Sequence, residues 1–494
     1  MKNKINYKIA AIGLCIIMSV SLLSCEDYLE KAPKGELTSG NFFKDELQAT
    51  QAVNAIYSHL RNFNVHVFSY IGITDIASDD ADKGSVPGDA GFLQDINDFT
   101  FDANNTAVNG IWSGYFQGIF RANQVIANVP EIDMDEELKT RLIGEARFLR
   151  AYFYFFLVRT YGDLPLIKVP LNPDQYKQPR VSKELIYEFI EEDLNFAAAN
   201  LPEKSEYPAF ELGRATAGGS KAFLSKVHLF QNEYQEAFDI AKEVISSGEY
   251  ALFPNYEGIF RREGEHSSES IFEVSTVALE AGGGGSQFNE VQGIRGNPNN
   301  GWGFNGPSDD LMAAYEENDP RLAATIINAG DTLPSGEVVV PDPNMGENAR
   351  FSRKALLPER PPSGFGNSGA NIRLFRYADL LLIAAEAANE IGNPTQALLY
   401  LNMVRERARQ GDTSILPDVT LTDQGVLRTA IYQERRVELA MEQHRYFDLV
   451  RQGRAAKVFA DLGINWTSGK HEVYPVPQSE IDISGGTISQ NPGY

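Results

Sequence analysis

A glycine-rich stretch in the middle of the chain holds the first residues whose types and spacing could do chemistry. Gly301 to Gly306 read GWGFNG, a literal match to the G-x-G-x-x-G pattern of dinucleotide-binding loops. Such a loop needs a preceding strand, a following helix in a βαβ unit and an acidic residue about 20 positions on. Here the preceding residues have a loop-like composition, and the helix predicted after Ser308 begins with two acids that would repel a phosphate. We therefore interpret the glycines as making room around Trp302 and Phe304.

Alternating acids and bases near the C-terminus resemble a catalytic carboxylate cluster. Opposite charges lie three positions apart in three pairs: Arg435 with Glu438, Glu442 with Arg445, and Asp448 with Arg451. Residues three apart share one helix face, so this spacing predicts a structural network of ion pairs. General acid–base catalysis would instead need a cleft and carboxyl groups with separated pKa values.

Paired acids in an early loop leave three interpretations open. Asp79 and Asp80, followed by Asp82, lie in the stretch ITDIASDDADKG. Their oxygens could accept hydrogen bonds from sugar hydroxyls, could bind calcium, or could belong to a solvated loop. The spacing lacks the glycine and the final glutamate of an EF-hand loop.

Composition and charge exclude several classes of function. The 494 residues carry a formal net charge of -23, which argues against nucleic acid as a partner and leaves neutral ligands compatible. Six histidines are scattered without an H-E-x-x-H motif, and neither a G-x-S-x-G elbow nor a Walker motif is present. We expect no catalytic residue, no bound metal apart from the calcium alternative, and no cofactor.

The first 24 residues are typical of a lipoprotein signal peptide. Lys2, Lys4 and Lys8 precede an apolar run from Ile9 to Leu23, which is short for a spanning helix. The run ends in LLSC, which resembles the lipobox of bacterial lipoproteins and predicts lipidation of Cys25. The alternative is an ordinary secretory signal followed by a chance cysteine. The acidic pair after Cys25 resembles surface-export signals, so we expect an anchored, outward-facing protein.

Helical periodicity dominates the body. Helices are predicted over Asp45–Leu60, Gly114–Val129, Glu136–Tyr161 and Lys183–Asn200, the last capped by Ser182. Segments starting near residues 221 and 380 resemble each other, and each reads as two helices joined by a tight turn with small residues at the contact. This pattern is typical of tetratricopeptide hairpins, which stack because they cannot bury their faces alone.

Two stretches interrupt the helical pattern. Residues 253–371 are rich in Gly, Pro, Asn and Ser, with strand-like runs only at 270–277 and 337–340, and residues 62–109 form a second excursion. Long loops mounted on a rigid scaffold commonly carry binding functions. The sequence thus predicts a mainly α fold in which residues 36–252 and 372–494 form the scaffold and residues 253–371 carry the ligand face.

Motifs distributed along the whole chain resemble the SusD/RagB family. They are CEDYLE, YFQGIFRANQVI, GEARFLRAYFYFFLVRTYGDLPLI, GRATAGGSKAFLSKVHLF, RLFRYADLLLIAAEAANEIG, ERRVELAMEQHRYFDLVRQG, YPVPQSEID and the terminal QNPGY. The resemblance implies a single body over residues 25–494, anchored in the outer membrane and without catalysis. It also implies capture of a nutrient glycan and its delivery to a SusC-like TonB-dependent transporter, or capture of peptides as in the RagB branch.

A ligand site is predicted around Trp302. Aromatic rings stack on the C–H faces of sugars while planar polar groups bind the hydroxyls. The N-G-W element of the family's starch-binding archetype matches Asn300, Gly301 and Trp302, and this likeness marks Trp302 as the stacking ring. Supporting candidates are Phe288, Asn289, Gln292, Arg295, Asn300, Phe304, Asp79 and Asp80. The alternative for Trp302 is packing of its loop onto the helices, whereas Trp112 and Trp466 are interpreted as structural.

An enzyme is the second class of function that the sequence leaves open. A surface glycan hydrolase would need two carboxylates about 5 to 9.5 Å apart across a groove. Carboxylates are abundant in this chain, so composition alone does not exclude one.

Overall fold

Helices build most of the scaffold in the computed structural model, which describes residues 42–279, 281, 283–346, 348–357 and 365–494. The α-helices are α1 (Glu46–His59), α2 (Phe63–His66), α3 (Phe68–Ile71), α4 (Gly91–Asn97), α5 (Thr106–Asn128), α6 (Glu136–Tyr161), α7 (Lys183–Asn200), α8 (Ala217–Phe230), α9 (Tyr234–Ser247), α10 (Phe288–Gln292), α11 (Asp309–Ala314), α12 (Pro320–Thr325), α13 (Tyr377–Glu390), α14 (Pro394–Ala408), α15 (Gln424–Glu438), α16 (Arg445–Arg451), α17 (Ala455–Asp461) and α18 (Gln478–Ser484). A π-helical turn, Gly72–Ile76, follows α3. Short 3₁₀ turns are Val129–Glu131, Pro173–Gln175, Lys204–Glu206, Ala209–Glu211, Glu257–Phe260, Arg262–Gly264 and Phe365–Asn367.

Residues Asp45–Tyr494 form one compact unit. The predicted signal peptide and Cys25 lie outside the described residues, and their assignment remains a prediction. Over the part of the chain that is described, none of the helices is both long enough and apolar enough to cross a lipid bilayer.

The strands are short and occur in antiparallel pairs. They are β1 (Ala81–Gly84), β2 (Leu164–Pro165), β3 (Arg180–Val181), β4 (Ser270–Val274), β5 (Gly296–Asn297), β6 (Phe304–Pro307), β7 (Ile326–Ile327), β8 (Val340–Pro341), β9 (Phe351–Ser352) and β10 (Ile372–Arg376). The pairs are β1 with β6, β2 with β3, β4 with β10, β5 with β8, and β7 with β9. The mainly helical fold class with a few short strands is therefore confirmed.

The two predicted hairpins are present and stack on each other. Helices α8 and α9 form the first, α13 and α14 form the second, and α9 packs against α13. Small residues line the contacts, because Ala237 and Ala241 in α9 and Ala384 and Ala387 in α13 are fully buried. The helices can approach closely only where side chains are this small.

Helix α6 forms the aromatic centre of the scaffold. Its run Phe153–Phe156 is buried, and Phe156 stacks on Tyr115 of α5 with ring centroids 4.4 Å apart. Trp112 of α5 is also buried against Tyr161, as expected for a core residue. The interpretation of this aromatic run as core packing is confirmed.

Helix α5 begins eight residues before the predicted start at Gly114. Asn105 caps its first turn by accepting hydrogen bonds from the next backbone N–H groups. Gly110 and Gly114 remain inside the helix because a Cβ at Gly110 would lie 2.6 Å from Ser69 Oγ and one at Gly114 would lie 3.1 Å from Val65. The glycines allow close packing here, and do not mark a helix boundary.

The strand-like runs in the long excursion are shorter than predicted. The strand that begins at Ser270 ends at Val274, because Val274 pairs with Ile372, the first residue of β10. In the run 337–340 only Val340 joins a strand, and Val338 makes an isolated bridge with Thr332. The excursion nevertheless has its own helices and strands, held by these local pairs.

The two excursions are joined to each other and to the C-terminal region. Strand β1 of the early excursion pairs with β6 of the long one, with Gly84 opposite Phe304. Tyr474 near the C-terminus donates a hydrogen bond of 3.0 Å to the carbonyl of Ile73. Segments distant in sequence therefore meet beside Trp302.

Candidate ligand-binding site

The loop that carries Trp302 is closed by its own backbone. Asn300 and Gly301 both donate to the Ile294 carbonyl at 3.0 Å, and Gly303 donates to the Gly293 carbonyl at 3.0 Å. The side chain of Asn300 closes the loop further by accepting from the Ile294 N–H at 2.8 Å. Because these bonds fix the backbone, Trp302 projects from a defined position.

Glycine is required where the two sides of this loop touch. A Cβ on Gly301 would lie 2.3 Å from the Cα of Gly293, and one on Gly293 would lie 2.6 Å from the Asn300 carbonyl oxygen. Gly303 has a φ of +77°, which also favours glycine. The glycines therefore serve loop closure, and the flanking strands β5 and β6 each pair antiparallel with another strand, which does not make the parallel βαβ unit of a dinucleotide loop.

Trp302 belongs to a cluster of five aromatic rings. Its ring lies 5.8 Å from Phe68 in an edge-to-face arrangement and 6.5 Å from Phe63. Phe68 also contacts Phe92 at 5.7 Å and Phe304 at 4.8 Å. Such offset geometries are the favoured ones for ring pairs.

The cluster has a buried side and an accessible side. Phe68 and Phe304 are buried, whereas Phe63 is 36% exposed and Phe92 and Trp302 are half-buried. We call the three accessible rings, Phe63, Phe92 and Trp302, the aromatic platform. Trp302 thus packs on the scaffold along one edge and keeps part of its surface accessible, and its contact with a ligand remains a prediction.

Arg295 connects the Trp302 loop to the early excursion. Its guanidinium lies 2.5 Å from Asp89 Oδ2, 3.3 Å from Asp342 Oδ2 and 3.0 Å from Ser85 Oγ. The side chain is 29% exposed, its charge is balanced by the two carboxylates, and its Cβ lies beside Gly303, the residue after Trp302. This position suits a hydrogen-bond donor for a neutral ligand.

The other loop candidates are mainly structural in this structure. Asn289 is buried and donates to the Ala355 carbonyl at 3.0 Å. Gln292 is fully buried and accepts from Asn305 Nδ2 at 2.9 Å. Phe304 is 4% exposed beneath Phe68, whereas Phe288 is half-buried. Of the predicted loop residues, Trp302, Phe288 and Arg295 keep accessible surface together with suitable chemistry.

Asp79 and Asp80 do not lie on an accessible surface. Both are buried, and Arg445 donates to both oxygens of Asp79 at 2.7 Å while Arg436 donates to Asp80 at 2.8 Å. Burial favours a raised pKa for Asp79, but the hydrogen bonds and charge of Arg445 outweigh it and lower the pKa. A sugar or a calcium ion would have to displace guanidinium groups, so we leave both residues out of the site.

Phe63 and Phe92 were missed from the sequence. Phe63 lies in the stretch FNVHVF. This stretch contains no tryptophan, so its alternating apolar residues did not indicate a ligand site. The available signal was an aromatic residue directly after the end of α1, at the start of a predicted excursion. Phe92 begins the short helix α4 and had no comparable signal.

The acid and base cluster near the C-terminus forms a buried charge network. It comprises Glu269, Arg321, Arg376, Asp379, Arg407, Glu434, Arg435, Glu438, Glu442 and Asp448, all of them buried. Arg376 donates to Glu442 at 2.6 Å and to Glu438 at 3.2 Å, and it also pairs with Glu269. Burial favours a raised pKa for Glu442, but Arg376 and Lys354 lower it to about 2. These carboxylates act as ion-pair partners.

The predicted pairing within this network is mostly wrong. Only Asp448 and Arg451 pair at the expected spacing of three, at 2.8 Å. Arg435 pairs with Asp379 and Asp448, and Arg445 pairs with Asp79. The i,i+3 rule describes an isolated helix face, whereas these side chains point into the protein, where other elements supply closer partners.

One group of residues in the described chain could hold a metal ion. Glu191, His228 and Glu233 place donor atoms within 4.8 Å of one another. His228 Nδ1 lies 2.6 Å from Glu233 Oε2, and Gln231 donates to Glu191 at 2.7 Å. These contacts satisfy the group without an ion.

Comparisons with known proteins match nearly the whole chain. The family described as "Starch-binding associating with outer membrane" matches residues 27–229, and the SusD family matches residues 268–494. A SusD-like protein of Formosa agariphila is 29% identical, covering 97% of this chain and 98% of its own length.

Solved structures show the same similarity. A laminarin-binding SusD-like protein is 31% identical with a TM-score of 0.79, covering 91% of this chain and 100% of that chain. Surface glycan-binding protein A of Bacteroides fluxus is 27% identical with a TM-score of 0.77, again covering 91% of this chain and 100% of its own.

Proposed function

Because this chain belongs to the SusD family, we propose that it is a surface lipoprotein that binds a nutrient glycan and delivers it to a SusC-like TonB-dependent transporter. The names of two similar structures support a glycan ligand, since one binds laminarin and the other is a surface glycan-binding protein. Laminarin is therefore the first ligand to examine.

The aromatic platform is the observation that carries this proposal. Rings that are fixed on one edge and accessible on the other can stack on the apolar face of a sugar with little loss of side-chain entropy. Phe63 and Trp302 have this arrangement, and Arg295 places hydrogen-bond donors nearby. The closed backbone around Gly301 keeps the platform in place without a ligand.

Calorimetry on a soluble form that begins after Cys25 tests the proposal. The wild-type protein should bind at least one glycan of a panel that includes laminarin, and Trp302→Ala should weaken that binding roughly 30-fold, as for a central hot spot. The control is Tyr176→Ala, since Tyr176 is 66% exposed and lies outside the aromatic cluster. A bound glycan that keeps full affinity in Trp302→Ala would contradict the assigned site.

The alternative ligand is a peptide, as in the RagB branch of the family. If the glycan panel shows no binding while peptides bind with a dependence on Trp302, the ligand is a peptide and the platform is retained. The anchor and the partner are tested separately, by whether Cys25→Ser abolishes membrane attachment and whether the transporter co-purifies with the protein.

We propose binding without turnover. Although burial opposes it, neighbouring arginines lower the pKa of Glu438, Glu442 and Asp448. Asp75, whose burial raises its pKa to about 6 against the hydrogen bonds of Asn305 and Gln443, is only 1% exposed. A general acid for glycoside hydrolysis needs a raised pKa and access to substrate. Release of shortened product from the bound glycan, lost on mutation of a single carboxylate, would overturn this.

A further inference from the structure

A second groove lies beside the platform and is not used by the site described above. It has a volume of about 380 Å³ and is lined by residues of α1, of the segment 210–214 that includes the 3₁₀ turn Ala209–Glu211, and of the segment 275–277. Phe210 in this turn is 87% exposed. The ring therefore offers an apolar face to whatever enters the groove.

The turn that presents Phe210 is held firmly. Arg141 donates to both oxygens of Glu211, at 2.7 and 3.2 Å, in a bidentate pair. Arg214 lies 3.7 Å from the same carboxylate and also donates to Glu145 at 2.8 Å. Since the residue after Phe210 is fixed in this way, the ring is offered from a rigid position.

The opposite wall supplies the polar groups that a sugar needs. Asn54, Ser58 and Ser275 are exposed, and Val277 adds an apolar surface that is 53% exposed. Arg61 donates to the backbone carbonyls of Gly283 and Gly284. An exposed ring in the same groove as hydroxyl and amide groups is the combination that recognises the two sides of a sugar.

The groove is continuous with the aromatic platform along two segments of chain. Arg61 lines the groove, and Phe63 of the platform follows two residues later, a Cα separation of at most about 7 Å. On the other wall, Gly284 precedes α10, whose Glu290 carbonyl accepts the Trp302 N–H at 2.9 Å. A chain bound at the platform can therefore extend directly past Arg61 toward Phe210.

We propose that this groove binds a second segment of the same glycan chain, with Phe210 as its stacking ring. The inference rests on the proposed glycan function and adds that the ligand is a polymer or long oligomer spanning both sites. Two linked contacts raise affinity for long chains well above that for short ones, because the second contact is intramolecular.

Calorimetry with laminarin and with a series of laminari-oligosaccharides of increasing length tests the groove. In the wild-type protein, affinity should rise with length until the chain spans both sites. Phe210→Ala should weaken laminarin binding roughly fivefold to tenfold and leave the shortest bound oligosaccharide unchanged, since a peripheral ring contributes less than a central one. Trp302→Ala should weaken both, and Phe120→Ala, which removes a phenylalanine that is 57% exposed elsewhere, should change neither.

The results for the Phe210→Ala and Trp302→Ala variants separate failure of the groove proposal from failure of the proposed function. If laminarin binds equally to wild type and Phe210→Ala while Trp302→Ala weakens it, the groove proposal fails and the proposed function stands. If the wild-type protein binds no glycan of the panel, the proposed function fails and the groove proposal falls with it. If Phe210→Ala changes the oligomeric state in light scattering while glycan affinity stays constant, the groove is a protein contact and the proposal is overturned.

Discussion

The charge network around Arg376 and the platform around Trp302 use polar and aromatic side chains in opposite ways. In the network, arginines and carboxylates are buried and satisfy one another across helices and strands. At the platform, rings that would ordinarily be buried stay partly accessible, and backbone hydrogen bonds fix the loop beneath them. The comparison teaches that charge here specifies the scaffold, while accessible apolar surface is the feature available for a ligand.

The strongest way to break this comparison is to remove a cation from the network. Arg376→Met would leave Glu269, Glu438 and Glu442 buried without their shared partner. Loss of one partner of a buried ion pair typically costs about 3–5 kcal/mol of unfolding free energy. Urea unfolding followed by circular dichroism measures it.

The matched control is Lys457→Met. Its salt bridge with Asp461 is exposed, so its removal should leave the unfolding midpoint unchanged. Equal midpoints for the two variants would show that the network does not stabilise the fold.

Acidification should weaken the network through its carboxylates. Although burial alone would raise their pKa values, neighbouring cations lower the pKa of Asp379, Asp448 and Glu442, the last to about 2. Unfolded carboxyl groups titrate near pH 4, so the unfolded state binds more protons between these values and stability falls as the pH drops from about 5 toward 2.

Asp75 contributes in the opposite sense. Its folded pKa of about 6 lies above the unfolded value, so its contribution is present at low pH and lost as pH rises through 6. Burial also raises the pKa of Asp80, Glu145, Asp193 and Glu480, but acids with a lowered pKa are more numerous in the described chain, so acid should destabilise the protein overall. The test is to measure the free energy of unfolding between about pH 5 and about pH 2. A free energy that stays constant or rises as the pH falls through this range would contradict the prediction.

A smaller change should affect the platform and largely spare the scaffold. Gly301→Ala would place a Cβ against the backbone of Gly293, which cannot move aside as a flexible side chain could. We expect a loss of about 1–3 kcal/mol from local overpacking and a roughly tenfold weaker glycan affinity as Trp302 shifts. Calorimetry and urea unfolding on one preparation separate the two effects.

Gly88→Ala is the control, because a Cβ there meets nothing within 4 Å. If both alanine variants bind glycan equally well, the closed loop is not what positions Trp302.

Salt should produce the smallest effect. Stacking on a neutral sugar involves no net charge, so glycan affinity should stay constant between about 0.05 and 0.5 M NaCl. A titration series in calorimetry checks this. A steep fall in affinity with salt would instead indicate an anionic ligand held by arginines such as Arg61 or Arg295.

Local signals were sufficient for the scaffold. Helix Glu136–Tyr161 has the predicted bounds because its aromatic spacing is helical and Gly162 ends it, and Lys183–Asn200 follows Ser182 as expected. The stacked hairpins were also predictable, since small residues recur at their contacts. The division into scaffold and ligand-carrying region at residues 253 and 371 remains a prediction.

Contacts between distant segments were not predictable. Arg376 and Glu438 are 62 residues apart, and no local rule links them. All three interpretations of Asp79 and Asp80 from the sequence need an accessible loop, whereas two arginines from the C-terminal region cover both carboxylates. The platform combines Phe63 of the early excursion with Trp302 of the long one, and these two excursions also pair through β1 and β6.

The attachment of the early excursion to the C-terminal region has a consequence for how the protein is made. Asp79 is held by Arg445 and Ile73 by Tyr474, partners that are 366 and 401 residues away. A ribosome finishes the first segment long before the second, so the early loop must wait without its native contacts. The early excursion, which carries Phe63 and Phe92, is therefore among the last parts to be ordered, and a chain truncated before Arg445 should keep helices yet present no platform.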